Sequence, residues 1–187
     1  MKATSKTKPN VRLTARRNGN IAAVRTGEAS LPTNRQIRSI LVPIDFSPPS
    51  KEALKAAAGF ARQFGAKLTL LNVVAPVATP DFAYHPLMME NDKIMAQSKR
   101  ELERVPKTED VDSELVEKVL VRYGVPYREI TDAARTLKVD LIIIATHGYS
   151  GLAHVFMGST AERVVRHAEC PVLVVRGRKE KSNERAN

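Results

Sequence analysis

The chain has 187 residues, 43% of them hydrophobic, which is enough for one domain with a sizeable core. It contains no apolar run near the roughly 18 residues that a membrane span needs, no signal-peptide pattern, and a single cysteine, Cys170. These features exclude a membrane protein and a disulfide-stabilised secreted domain. We therefore expect a cytoplasmic protein without a membrane partner.

The net charge of +10 is concentrated at the two ends of the chain. Residues 1–36 contain eight Lys or Arg and one acid, and residues 178–187 form a second charged segment. We expect a disordered basic arm at 1–36 and a charged tail at 178–187, flanking one domain at 37–177. Two alternatives stay open: weak contact of the arm with nucleic acid or anionic lipid, and cleavage of the arm as an organelle-targeting segment. The arginine content and the near-absence of acids fit the second, but the sequence does not separate the two.

Strand and helix patterns alternate within the domain. The expected strands are residues 40–44, 67–74, 116–122, 141–144 and 171–175, all rich in Val, Ile and Leu. Helices are expected to begin at Ser47–Pro48, before Ile94, at Pro126 and at Ser159. This alternation predicts an α/β fold, a doubly wound five-stranded parallel sheet with helices on both faces.

Polar and glycine residues follow two of these strands. Asp45 follows the first strand, and a loop with Gly148, Gly151 and Gly158 follows the fourth. If the two strands are neighbours, both features lie in one crevice at the carboxyl ends of the strands, where ligands bind in such sheets. Asp45 could accept hydrogen bonds from a ribose or an adenine, or it could cap the following turn by an Asx-type bond. The sequence does not decide between these two roles.

The end of the glycine loop has the pattern of an anion site. Ser159 and Glu162 have capping-box spacing, so Ser159 is expected to cap the helix or to donate its hydroxyl to a phosphate. Glycine at 148 and 158 would let the backbone approach a phosphate, although loop turning also explains both. His147 could contact the same phosphate, whereas a lone loop histidine is more often solvated or structural.

Motifs of the common nucleotide-hydrolysing and hydrolytic enzymes are missing from the sequence. It contains no G-x-x-x-x-G-K-[ST] loop, no G-x-G-x-x-G after the first strand, no G-x-S-x-G elbow and no paired Cys/His spacing. No nucleophile–base pair can be named either. We therefore predict a protein that is not an enzyme, with no catalytic residue and no metal site. An adenylyl-transferring enzyme on a related fold would need a second substrate pocket that the sequence does not reveal.

Three segments of the chain resemble the universal stress protein family. They are ILVPIDFS, GVPYREITDAARTLKVDLIIIATHG and GSTAERVVRHAECPVLVVR, and the resemblance runs from about Arg38 to Arg176. The loop matches the G-x2-G-x9-G-[ST] pattern of the ATP-binding branch of that family, except that Ala145 stands at the first glycine. A methyl group at Ala145 costs little if φ is negative there, and it weakens binding if the backbone must approach the nucleotide.

The resemblance implies a set of nucleotide contacts. Asp45 would accept adenosine hydroxyls beside Pro43 and Ile44, and Val73 would line the base pocket. The phosphates would be surrounded by Ala145, His147, Gly148, Gly158, Ser159 and Thr160. Members of the family also tend to form homodimers through the last strand, here Val172–Val175, which agrees with the need to cover an apolar edge strand.

These observations lead to one main prediction and one alternative. We predict five parallel strands in the order 3-2-1-4-5, in an ATP-binding universal stress protein that acts as a dimeric nucleotide-dependent regulator or sensor. It would hydrolyse ATP slowly at most, and its cofactor would be ATP with or without Mg²⁺. The alternative is an interaction module of the same fold that binds no nucleotide.

Overall fold

The computed structural model describes residues 21–24, 36–76, 84–146 and 158–176 of the chain. The strands in these ranges are β1 (Ile21–Val24), β2 (Ser39–Pro43), β3 (Lys67–Val74), β4 (Val116–Tyr123), β5 (Leu141–Ala145) and β6 (Val172–Val175). The α-helices are α1 (Pro48–Phe64), α2 (Tyr84–Thr108), α3 (Pro126–Leu137) and α4 (Ser159–His167). A short 3-10 turn, Ser113–Leu115, precedes β4.

The described strands form one sheet in the order β1-β6-β5-β2-β3-β4. Its last five members are parallel, and in chain order they have the arrangement 3-2-1-4-5 that the sequence predicted. The strand followed by Asp45 and the strand followed by the glycine loop are neighbours, since Leu41 of β2 pairs with Ile142 of β5. The fold prediction is confirmed, and the two strands end side by side.

Two helices cover each face of the sheet. Buried side chains of α1 and α2, such as Leu54 and Leu102, pack on one face, and those of α3 and α4, such as Ile130 and Val164, pack on the other. The central strands β2 and β5 are apolar at nearly every position because both of their faces are covered. The winding therefore reverses between β2 and β5, as in other doubly wound sheets.

Local signals fix the ends of α1. The Ser47 side chain accepts a hydrogen bond from the amide of Ser50, Pro48 occupies the first helical position, and Gly65 ends the helix with φ of 65°. These are the start and stop residues expected from the sequence. The helix α2, expected to begin before Ile94, begins about ten residues before it, at Tyr84. Pro86 is compatible with this start because it lies in the first turn, where no intrahelical N–H is required.

Four residues of the N-terminal arm, which was expected to be disordered, form a strand. Ile21–Val24 form β1, which pairs antiparallel with β6 in the register Ile21↔Val175 to Val24↔Val172. A short apolar run can gain a ladder of backbone hydrogen bonds only from a partner edge, and β6 provides that edge. The remainder of residues 1–35 and the predicted tail 178–187 lie outside the described residues.

One carboxylate links the two helices on one face of the sheet. Glu109, directly after α2, lies 3.0 Å from the Lys51 ammonium and 3.1 Å from that of Lys55, both on α1. Burial raises the pKa of Glu109, but the hydrogen bonds and charges of the two lysines outweigh burial and hold that pKa below its ordinary value of 4.5. Ionised Glu109 therefore favours the folded state.

Replacing this carboxylate should give a pH-dependent loss of stability. We expect Glu109→Gln to lower the free energy of unfolding by about 1–2 kcal/mol at pH 7. The folded-state pKa is depressed, so the contribution is complete above the unfolded-state pKa and is lost as the pH falls through the folded-state pKa. Urea unfolding of both proteins at several pH values checks this: the difference should be complete at pH 7 and should shrink as the pH falls below 4.5, the ordinary pKa of the carboxyl group, and a constant difference would contradict it.

Candidate functional site

A crevice opens where β2 and β5 end side by side. Its volume is about 320 Å³, which lies at the lower end of the range of about 300–1,000 Å³ for small-molecule sites. It is lined by residues in the carboxyl-terminal parts of strands, in the turns that follow them and near the starts of helices: Pro43, Ile44, Asp45, Ser50, Leu71, Asn72, Val73, Pro126, Ile130, Ile144, Ala145, Thr146, Gly158, Ser159, Thr160 and Ala161.

Most of the site residues expected from the sequence line this one crevice. These are Pro43, Ile44, Asp45, Val73, Ala145, Gly158, Ser159 and Thr160. They come from β2, β3, β5 and the start of α4, four elements that the parallel topology brings to one end of the sheet. His147 and Gly148, the other two, lie outside the described residues.

Asp45 caps the turn that begins α1. Its Oδ1 accepts hydrogen bonds from the Ser47 amide at 3.1 Å and from the Ser47 hydroxyl at 2.5 Å. The Asx-type bond that the sequence left as one of two roles for Asp45 is therefore present. A carboxylate can accept about four hydrogen bonds, so turn capping is compatible with ligand binding. The side chain is also exposed at the crevice, within reach of a ligand.

The backbone turns sharply after Asp45. Phe46 has φ of 65°, a left-handed conformation that costs a bulky residue about 1–2 kcal/mol. The Phe46 ring packs against the core on the α1 side of the sheet, and this contact holds the residue in place. Strained positions of this kind are common beside functional sites, and here the strain directs the chain from β2 into α1 at the crevice mouth.

The glycine loop is anchored where it leaves and rejoins the described structure. The Thr146 amide donates to the Val175 carbonyl at 2.9 Å, and the Gly158 amide donates to the Thr146 carbonyl at 2.6 Å. Both ends of the loop are thereby fixed beside β5. Because the Gly158 N–H already has a protein acceptor, the amides that can face an anion begin with Ser159.

The start of α4 differs by one residue from the capping box expected at Ser159. Gly158 is the N-cap residue, and it makes no side-chain capping bond. The Glu162 amide donates to the Gly158 carbonyl, and the Glu162 side chain pairs with Arg166 at 2.6 Å. Ser159 is thus not the cap, which was the structural alternative for this residue. Its hydroxyl and the first amides of α4, which have no intrahelical acceptor, lie at the crevice.

Ala145 ends β5 at the position where the ATP-binding pattern has glycine. It is buried, pairs with Val175 of β6, and does not have a positive φ. The methyl group therefore causes no backbone strain. Any effect of Ala145 on a ligand must come from the space that this methyl group takes at the crevice wall.

Asn72, one of the lining residues of the crevice, belongs to a buried polar pair that the sequence analysis missed. The side-chain amide of Asn72 donates to the Ile44 carbonyl at 2.7 Å, and the Ser98 hydroxyl donates to the Asn72 Oδ1 at 2.6 Å. Both side chains are buried. A polar residue inside the apolar strand KLTLLNVV was the available signal. The pair connects α2 through β3 to the backbone that leads into Asp45.

The crevice has a simple charge pattern. Among its described lining residues, Asp45 is the only charged one; the others are apolar or carry hydroxyl or amide groups. The positive potential at its far side comes from the N-terminus of α4, equivalent to roughly half an elementary charge. The crevice therefore offers the Asp45 carboxylate as an acceptor for hydroxyl groups, an apolar wall for a flat ring, and the first amides of α4 as donors to an anion.

Comparison with known proteins identifies the family. Residues 36–176 match the model of the universal stress protein family. The chain belongs to the universal stress protein family. The family expected from the residue patterns is confirmed.

Individual relatives support the same assignment. The chain is 35% identical to a universal stress protein of Methanocaldococcus jannaschii over 147 residues, which cover 74% of this chain and 82% of the relative. It is 34% identical to one of Thermus aquaticus over 143 residues, covering 74% and 98%. The structure of universal stress protein UspA from Lactobacillus plantarum superposes with a TM-score of 0.66 at 32% identity, covering 76% of this chain and all of that one.

Two further features concern the described part of the chain alone. None of its helices is both long and apolar enough to cross a membrane. Within the same ranges, no group of three or more His, Cys, Asp or Glu side chains is arranged to hold a metal ion.

Proposed function

We propose that this universal stress protein binds ATP in the crevice between β2 and β5 and acts as a nucleotide-dependent regulator or sensor of the stress response. The observation that carries the proposal is the convergence of Asp45 and the N-terminus of α4 on one crevice of about 320 Å³. The proposal assigns a catalytic role to no residue, allows slow ATP hydrolysis at most, and includes a cytoplasmic location.

Each part of the nucleotide has a chemically suitable partner in this proposal. The Asp45 carboxylate accepts hydrogen bonds from the ribose hydroxyls, and the adenine packs against the apolar wall that includes Ile44 and Val73. The phosphates face the amides of Ser159 and Thr160, where the helix dipole contributes about 0.3–1 kcal/mol at an exposed site. His147 and Gly148 would contribute from the loop.

The phosphate charge favours binding together with a cation. The described lining residues include no Lys or Arg, so among them only amides, hydroxyl groups and the helix dipole would face the negative charge of a triphosphate. Mg²⁺ bound to the phosphates reduces that charge and is usually held partly by water and phosphate oxygens rather than by a protein cage. We therefore propose MgATP as the bound form.

Calorimetric titration with MgATP tests this proposal. We expect saturable heat with one nucleotide per chain, a rise in the melting temperature, and weaker binding of MgATP to Asp45→Ala than to the unchanged chain. Absence of both heat and thermal shift at millimolar MgATP would reject nucleotide binding.

A second candidate function has support from Ala145 and from the turn at Asp45. The methyl group of Ala145 narrows the crevice, and the Asp45 carboxylate is already engaged with Ser47. The alternative is therefore an interaction module of the same fold without nucleotide. In that case, partner binding should be indifferent to ATP and to Gly148→Val.

The predicted homodimer through Val172–Val175 is also part of the proposal. Pairing of two β6 strands around a two-fold axis would extend the sheet across both copies. The edge of β6 that faces away from β5 is paired with β1 of the same chain. A second copy can therefore pair there only after β1 has left.

A further inference from the structure

The edge of the sheet at β6 is suited to strand pairing. Val172, Leu173, Val174 and Val175 are all buried, and none of them is charged or a proline. An apolar edge of this kind is a template for any extended strand unless something covers it. In this chain the cover is β1, which pairs with all four residues of β6.

The strand β1 pairs antiparallel with β6, and the β6 strand of a second copy would pair with it in the same orientation. Two β6 strands related by a two-fold axis must run in opposite directions, and β1 runs opposite to β6. The same backbone donors and acceptors of β6 would therefore serve either partner. The two partners exclude each other because one edge of a strand accepts one neighbour.

The sequence between β1 and β2 is long enough for β1 to leave. Fourteen residues separate Val24 from Ser39. They could span up to about 46 Å when extended, whereas β1 lies three strand spacings from β2, about 14 Å. The four-residue strand is also short, so few ladder hydrogen bonds hold it.

We infer that β1 is a displaceable strand that controls the assembly of this protein, because residues 21–24 compete with a second copy of the chain for the edge of β6. While β1 is paired, the chain is a monomer, and when β1 is released, two copies pair through β6. This inference rests on the proposed dimer edge and is independent of nucleotide binding.

The test compares the full chain with a variant that cannot form β1. Ala22→Pro with Ala23→Pro removes two successive backbone N–H groups, and since these point in opposite directions, one of them faces β6. The matched control carries prolines at Thr14 and Ala15, outside the strand. Light scattering after gel filtration gives the mass, and hydrogen exchange reports on the amides of residues 172–175. A chain lacking residues 1–30 is the second variant.

We expect the full chain and the control to be monomers with protected amides at 172–175 at the concentrations at which the variants dimerise. The β1 variant and the shortened chain should form dimers with a dissociation constant at least about tenfold lower than that of the full chain. Their amides at 172–175 should become protected as concentration rises.

Three results would overturn the inference. Equal dimerisation of all four proteins would show that β1 does not compete, and loss of a dimer in the variants would show that β1 contributes to the interface. Monomeric variants would also overturn it, and hydrogen exchange would then show which step of the inference is wrong. Faster exchange at 172–175 would show that β1 covers the edge but copies do not pair, whereas unchanged exchange would show that β1 does not cover it. MgATP titration of the same proteins measures nucleotide binding separately, so a failure of the proposed nucleotide site is distinguished from a failure of this inference.

Discussion

Gly158→Val should abolish nucleotide binding while leaving the fold intact. Gly158 lines the crevice and has φ of −58° and ψ of 147°, a conformation open to any residue. The valine N–H can still donate to the Thr146 carbonyl, so the loop stays anchored. The branched side chain, however, takes the space in which the phosphates would approach the N-terminus of α4.

The expected effect on affinity is large. Hydrogen bonds to a charged group are worth about 1.5–3 kcal/mol each, so displacement of the phosphates should raise the Kd for MgATP on the order of 100-fold or more. Gly59→Val is the matched control, because Gly59 is exposed on α1 and a Cβ there meets no atom within 4 Å. Calorimetry and a thermal melt measure both variants, and an unchanged Kd for Gly158→Val would mean that the phosphates bind elsewhere.

Asn72→Leu should destabilise the domain more than other substitutions of similar volume in the crevice wall. It leaves the Ile44 carbonyl without the amide of Asn72 and the Ser98 hydroxyl without its acceptor, and both residues are buried. A buried polar group left unsatisfied costs about 1–3 kcal/mol. We expect a loss of about 2–4 kcal/mol in the free energy of unfolding, measured by urea denaturation, and a weaker affinity for MgATP.

A double substitution tests whether the polar pair is the cause. Ser98→Ala removes the Ser98 hydroxyl. Asn72→Leu combined with Ser98→Ala therefore leaves one unsatisfied group fewer than Asn72→Leu alone. The combined loss should fall short of the sum of the single losses by at least about 0.5 kcal/mol. Additive losses would show that packing of the leucine, not the hydrogen bonds, accounts for the effect.

Elements with strong local signals were predictable from the sequence. The capping residue Ser47, Pro48 and the stop at Gly65 set α1, and the apolar runs around Leu41 and Ile142 set the two central strands. The order of the parallel strands followed from the family resemblance together with the alternation of strands and helices. Of the crevice residues, Asp45, Gly158 and Ser159 followed from the meeting of neighbouring strand ends at one edge of the sheet. The others were implied by the family resemblance.

The remaining features depend on tertiary partners that a local pattern does not reveal. The four residues of β1 carry no signal beyond a short apolar run, and the edge of β6 determines their pairing. The cap of α4 moved from Ser159 to Gly158 because the Gly158 amide is held by the Thr146 carbonyl. Asn72 interrupts an apolar strand, and its role depends on two partners distant in sequence, Ile44 and Ser98.

A crystal structure of the chain grown with MgATP tests the central claim most directly. The account predicts ribose oxygens within about 3.2 Å of the Asp45 carboxylate. It also predicts phosphate oxygens at the amides of Ser159 and Thr160. MgATP bound at another surface, or a crevice without nucleotide at saturating MgATP, would contradict it.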